Sequence, residues 1–170
     1  MDLVVIASVP GREHWLRDCL ASIERDVLVV SQHGWELDKI RWVYEHVNCE
    51  RFLFLNDSMI VKDQAFFDLA FGAGTGSVAI SNCPTKFGMY LGVFTKATLA
   101  KVPMRQVHDK EDSITLEGEW ANQYSAAEPD APLLFDDFTD GHAQRTEARH
   151  NRINLRLEND YLIKFKGTWR

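Results

Sequence analysis

Asn56, Asp57 and Ser58 follow directly on Phe52, Leu53, Phe54 and Leu55, four apolar residues in a row. A run with no polar alternation suits a strand covered on both faces of an α/β sheet. In open α/β sheets, ligands bind at the carboxyl ends of the strands, so Asp57 is placed to hold a metal ion or to meet a phosphate-bearing substrate. The same three residues are also ordinary turn formers. A second group of charged side chains lies towards the carboxyl terminus, where Arg149, Arg152, Arg156, Lys164, Lys166 and Arg170 are interleaved with Tyr161, Phe165 and Trp169. Such a local positive balance suits a diphosphate; the plain alternative is an arm packed over the sheet with its charges in water. Between the two groups, residues 113–126 read as a helix with Leu116, Trp120 and Tyr124 stacked four apart and with Asp112 or Ser113 as its cap. Glu117 and Glu119 fall on different faces of that helix, so at most one can look into a site, and both could equally be solvated.

The elements that must carry these groups follow from periodicity. Residues 3–7 form a continuous, β-branched apolar run that stops at Pro10-Gly11, which predicts a first strand. Leu16, Cys19, Leu20 and Ile23 then recur at helical spacing over residues 12–24. A second strand is expected at 27–30. A second helix is expected at 36–46, burying Leu37, Ile40, Val43, Tyr44 and Val47, before the strand that opens at residue 51. Strand, helix, strand, helix, strand in this order predicts right-handed crossovers and a mostly parallel central sheet flanked by helices, an α/β, Rossmann-like domain. Neither GxGxxG nor GxxxxGK[ST] is present, so no dinucleotide fingerprint or P-loop is claimed. Further along, residues 63–71 predict an amphipathic helix with Phe66, Phe67, Ala70 and Phe71 inward. Gly72 to Gly76 predicts a helix end and turn, residues 77–81 a strand, and residues 87–94 an extended stretch whose Gly88 and Gly92 allow close approach. Residues 95–101 predict a short helix, and residues 128–140 a short strand or extended loop.

With 170 residues, 45% hydrophobic and 26% charged, the chain has the size and composition of one globular domain. Its net charge of -6 argues mildly against tight sequence-independent nucleic-acid binding. Cys19, Cys49 and Cys83 are an odd number without a CxxC pair, which suits a reducing cytosol and small core residues. The amino terminus lacks the form of a secretory signal, and no stretch approaches the roughly 20 apolar residues of a membrane span. The expectation is a cytoplasmic protein with no membrane span.

Taken together, the stretches DLVVIASVPGREHWLRDCLASIE, FLFLNDSMIVKDQAFFDLAF and HNRINLRLENDYLIKFKGTW resemble a small glycosyltransferase of the GT-A type, similar to the family-two nucleotide-sugar transferases. The first is like their opening strand, loop and helix. The second occupies the place of their DxD segment, and the third looks like the closing segment of short transferases, some of them phage-borne. The resemblance implies a single GT-A domain over residues 1–170. Residues 1–71 would be its nucleotide-binding half, 72–149 its acceptor side and 150–170 a basic closing segment. It implies a nucleotide-sugar donor such as a UDP-sugar, a hydroxyl acceptor, and Mn or Mg as a divalent cation that offsets the charge of the departing diphosphate. The acceptor would be a saccharide or, in a phage setting, a modified DNA base. Carried over residue by residue, Asp57 is the metal ligand, with His150 or else His142 as a further ligand. Asn56 and Ser58 stand where a second carboxylate is often found. Glu117 is the first choice for the base that takes the acceptor proton, with Asp112 as its rival. Ser8, Val9, Arg12, Asn56, Asp57, Lys164 and Lys166 would bind the donor. The chain is short for this fold, so acceptor choice could depend on loops or on a second copy in a homo-oligomer. Two other readings stay open: a non-catalytic α/β binding module, and a nucleotidyltransferase that releases pyrophosphate from a nucleoside triphosphate.

Overall fold

The computed structural model describes residues 2–32, 34–81, 85–88, 91–136, 138 and 155–166. Among these residues the main sheet has six strands: β1 (Asp2–Ala7), β2 (Leu28–Val30), β3 (Arg51–Asn56), β5 (Val78–Ser81), β6 (Leu91–Thr95) and β7 (Leu133–Phe135), in the order β2-β1-β3-β6-β5-β7. β4 (Met59–Val61) belongs instead to a small antiparallel sheet, β4-β9-β8, with β8 (Leu155–Glu158) and β9 (Leu162–Lys166). The helices are α1 (Glu13–Ala21), α2 (Glu36–His46), α3 (Ala65–Gly72), α4 (Lys96–Leu99) and α5 (Lys110–Ala127).

The large sheet is mixed but mostly parallel. β1 pairs in parallel with both β2 and β3, and β5 with β7, whereas β6 alone runs against its neighbours β3 and β5. The expected parallel arrangement therefore holds for β1, β2 and β3. The reversal comes with β6, which follows β5 after too few residues for a crossover helix and lies antiparallel to it.

Alternating residues of the central strands feed two separate cores, which is why their sequences read as unbroken apolar runs. Val5, Phe52, Phe54 and Phe94 point to one face, where Leu37, Ile40 and Val43 of α2 and Leu116, Trp120 and Tyr124 of α5 cover them. Val4, Ile6, Leu53 and Leu55 point to the other, against Cys19 of α1, Phe66, Phe67 and Ala70 of α3, and Met59, Val61 and Leu162 of the small sheet. Phe52 to Leu55 are all fully buried, as a strand between two layers requires. Gly92 has a packing reason on β6: a Cβ there would come within 3.0 Å of the Phe94 ring that lies across it.

Several boundaries differ from expectation for local reasons. α1 ends at Ala21, because Ser22 turns its hydroxyl back to the Cys19 carbonyl at 2.7 Å and its own carbonyl accepts from Gln64. α3 starts at Ala65, since the Asp63 carboxylate accepts from the Ala65 amide at 2.8 Å and holds the preceding turn. α5 starts three residues before the position expected for it. Its cap is Asp109, not Asp112 or Ser113, and the Asp109 carboxylate accepts from the Asp112 amide at 2.8 Å. The closing segment forms the β8–β9 hairpin, whose turn is held by Asn159 accepting from the amides of Tyr161 and Leu162. No helix among the described residues is long and apolar enough to cross a membrane.

Candidate functional site

The parallel strands β1 and β3 end side by side, with Ala7 opposite Asn56, so the residues that follow them emerge together. The register continues one residue further through the Asp57 amide, which donates to the Ala7 carbonyl at 2.9 Å. Beyond this edge lies a cavity of about 690 Å³. Ser8, Val9 and Arg12 reach it from the loop after β1, and Asn56, Asp57 and Ser58 from the turn after β3. Gly34, Trp35, Glu36 and Lys39 come from the start of α2, Glu117 from α5, and Lys164 and Phe165 from β9.

Asp57 is held by several hydrogen bonds in this wall. Arg12 donates through Nε to both carboxylate oxygens, at 3.1 and 2.9 Å, and through Nη2 to Oδ1 at 2.7 Å. Ser8 donates its hydroxyl to Oδ2 at 2.7 Å. The Asp57 side chain is only 4% exposed and that of Arg12 is 38% exposed, so the pair is buried from the acid's side and open from the base's. The hydrogen bond to Asp57 raises the Arg12 pKa, against the lowering effect of burial. Arg12 also stands 5.9 Å from the Trp15 ring, which packs on Phe165 at 5.4 Å and ties α1 to β9 along the cavity wall.

The other walls carry groups of both signs. Asn56 donates to Glu36 at 3.2 Å, while its Oδ1 is buried without a hydrogen-bond partner among the described residues. Lys164 is buried and donates to the Ser58 hydroxyl at 2.7 Å; beside it the Phe165 amide donates to the Ser58 carbonyl. Glu117 accepts from the Ser113 hydroxyl at 2.8 Å, one turn back on α5. Lys39 is 2% exposed and donates to the Gly34 carbonyl at 2.6 Å. Burial lowers its pKa, opposed by the negative charges of Glu36, Asp38 and Asp57. Gly34 has φ of +125°, a backbone conformation that side-chain-bearing residues rarely adopt, and it presents its carbonyl to Lys39 from there.

Seven residues expected from the sequence thus share one cavity: Ser8, Val9, Arg12, Asn56, Asp57, Glu117 and Lys164. Asp112 is not among the lining residues. It sits in the first turn of α5, where its carboxylate accepts from the His108 amide at 3.0 Å. Glu119 faces away, exposed and 4.0 Å from Arg105. His142 and His150 lie outside the described residues, as does the side chain of Lys166. Lys39, Glu36 and Trp35 line the cavity without having been expected there. A lysine at a helical position is ordinarily a solvated residue, whereas this one is buried with its ammonium on the Gly34 carbonyl.

A divalent cation on Asp57 would compete with Arg12 for the carboxylate. A carboxylate offers roughly four lone-pair positions, and Arg12 and Ser8 bring three hydrogens to those of Asp57, the Nε–H shared between both oxygens. Among the described residues, no three His, Cys, Asp or Glu side chains are gathered in a way that would hold a metal ion. No family model, no curated protein and no solved structure matches the chain.

Proposed function

We propose that the chain is a GT-A-like glycosyltransferase that moves a sugar from a nucleotide-sugar donor to a hydroxyl acceptor in the cavity beyond β1 and β3. The observation that carries this reading is the meeting of separate stretches at one cavity. The loop after β1, the turn after β3, Glu117 of the middle region and Lys164 of the closing segment all line it. Cavities at the carboxyl ends of parallel strands are the usual ligand sites of α/β sheets, which favours a nucleotide there.

In this reading the acceptor oxygen replaces the donor's diphosphate on the anomeric carbon. The acceptor proton passes to the Glu117 carboxylate, and the electron pair of the broken carbon–oxygen bond leaves on the diphosphate. Glu117 is held for that task by Ser113, whose hydroxyl fixes one carboxylate oxygen. Arg12 and Lys164 lie on the same walls and supply positive charge for the leaving group.

Incubation with a panel of nucleotide-sugars tests the proposal. Release of nucleoside diphosphate, lost in Glu117→Gln, is the expected result. Pyrophosphate released from a nucleoside triphosphate would point to a nucleotidyltransferase. No release and no thermal shift with any nucleotide would favour a non-catalytic binding module. Nucleotide bound at 100 times its dissociation constant should raise stability by about 2.7 kcal/mol.

A further inference from the structure

A buried ammonium normally sits against a carboxylate, because desolvating a charge without a counter-ion is costly. Lys39 departs from that rule. It is 2% exposed, lines the cavity and makes no salt bridge among the described residues. One of its three donor positions goes to the Gly34 carbonyl. The carboxylates near enough to act on its charge are engaged elsewhere. Asp57 is held by Arg12 and Ser8, Glu36 accepts from Asn56, and Asp38 accepts from the Trp35 amide and from Arg41. Burial lowers the Lys39 pKa, and the charges of Glu36, Asp38 and Asp57, none of them in salt-bridge contact with it, only oppose that lowering. It also stands in the second turn of α2, near the helix's positive amino-terminal end.

Arg12 offers the second cationic group. Its Nε and Nη2 are committed to Asp57, and Nη1 donates to none of the described residues. Asp57 therefore fixes the plane of the guanidinium at the cavity wall. A guanidinium fixed in this way is suited to phosphate oxygens, since little side-chain freedom remains to be lost on binding.

We propose that the cavity holds the donor's diphosphate on fixed side-chain cations, Lys39 and Arg12, with Asp57 as the residue that positions Arg12 and not as the ligand of a divalent cation. This inference rests on the transferase reading of the same cavity and deepens it by naming what meets the diphosphate charge. As the bond to the anomeric carbon breaks, the growing negative charge on the leaving group is met by these two cations, together with Lys164 on the same walls.

Isothermal titration of the full chain with UDP, GDP and ADP in turn, in excess EDTA and then in manganese, tests it directly. At least one of the three is expected to bind equally well in both conditions. Lys39→Met should weaken that binding at least roughly tenfold, the loss expected for a hydrogen bond to a charged group. The same variant should melt at or above the wild-type temperature, because it removes an unpaired buried charge; a lysine with a merely structural role would move in the opposite direction. Arg12→Lys, which keeps the charge but not the fork, should also weaken binding. Binding that requires manganese, or wild-type affinity in Lys39→Met, would overturn this inference and leave the transferase reading standing. Absence of binding to all three nucleotides in both conditions would overturn the two together.

Discussion

β1 and β3 carry an arginine–aspartate pair at each of their ends, and the two pairs do different things. At the amino ends, Arg51 donates to both carboxylate oxygens of Asp2, at 2.8 and 3.2 Å, and its remaining donors satisfy the carbonyls of Phe71 and Gly74 where α3 finishes. At the carboxyl ends, Arg12 grips Asp57 with similar geometry but lines an open cavity. The carboxylates differ most. Asp2 is 44% exposed, whereas Asp57 is 4% exposed. In the first pair the arginine does the structural work by closing a helix end, and water could replace the acid. In the second the acid is locked inside and the arginine is presented outwards. The same chemical pair is thus a staple at one end of the strands and, in our reading, a prepared anion contact at the other.

The largest effect that sharpens this contrast is on turnover. Glu117→Gln at the carboxyl end should slow nucleoside diphosphate release by about a hundred- to ten-thousand-fold, the usual contribution of a positioned base. Glu119→Gln and Arg51→Lys should leave the rate near wild type. An Arg51→Lys variant that loses turnover as Glu117→Gln does would break the division between a working and a structural end.

Stability separates the two ends by a smaller margin. Arg12→Ala leaves Asp57 buried with Ser8 as its remaining side-chain donor and should cost about 3 kcal/mol in denaturant unfolding. Arg51→Ala should cost about 1–2 kcal/mol, mainly from the unpaired carbonyls of Phe71 and Gly74, because Asp2 can be rehydrated. Equal losses would mean that the burial of Asp57 does not set its role.

Cys19 gives the finest probe, since it lies in the core beneath the carboxyl end and Asp57 acts on it. Burial, with the Asp57 charge adding to it, pushes the Cys19 thiol up to about 12. Iodoacetamide at mildly alkaline pH should therefore leave Cys19 unmodified in the native chain while reacting faster with the half-buried Cys49. The sign of the pH effect follows from the raised value. The stability gained by keeping this thiol protonated is complete below the ordinary thiol range and declines as pH rises from there towards 12. Alkylation of native Cys19 at the rate of an unfolded chain would show that this core is open.

Much of this arrangement was legible in the sequence, and the parts that were not share a physical cause. The apolar runs at Val4 to Ala7 and Phe52 to Leu55 declare strands buried on both faces, so the placement of Ser8 and Asp57 at one edge follows from pattern alone. The helical spacing of Leu116, Trp120 and Tyr124 likewise puts Glu117 on a definable face of α5. β4 escaped notice because three residues are too few to show a period, and its partner β9 lies about a hundred residues further on. The Arg12–Asp57 pairing crosses 45 residues, and no local rule says which cation will claim a buried acid. Lys39 was hidden for the opposite reason: helical periodicity expects a lysine to be solvated, whereas the left-handed Gly34 turn folds a carbonyl over it.

Whether a diphosphate sits beyond the ends of β1 and β3 can be seen in a crystal structure of the chain grown with the best-binding nucleoside diphosphate. The account predicts phosphate oxygens within hydrogen-bond distance of Lys39 and Arg12, with Arg12 still paired to Asp57. A nucleotide bound elsewhere on the chain, or a cation seated on Asp57 with Arg12 displaced, would contradict it.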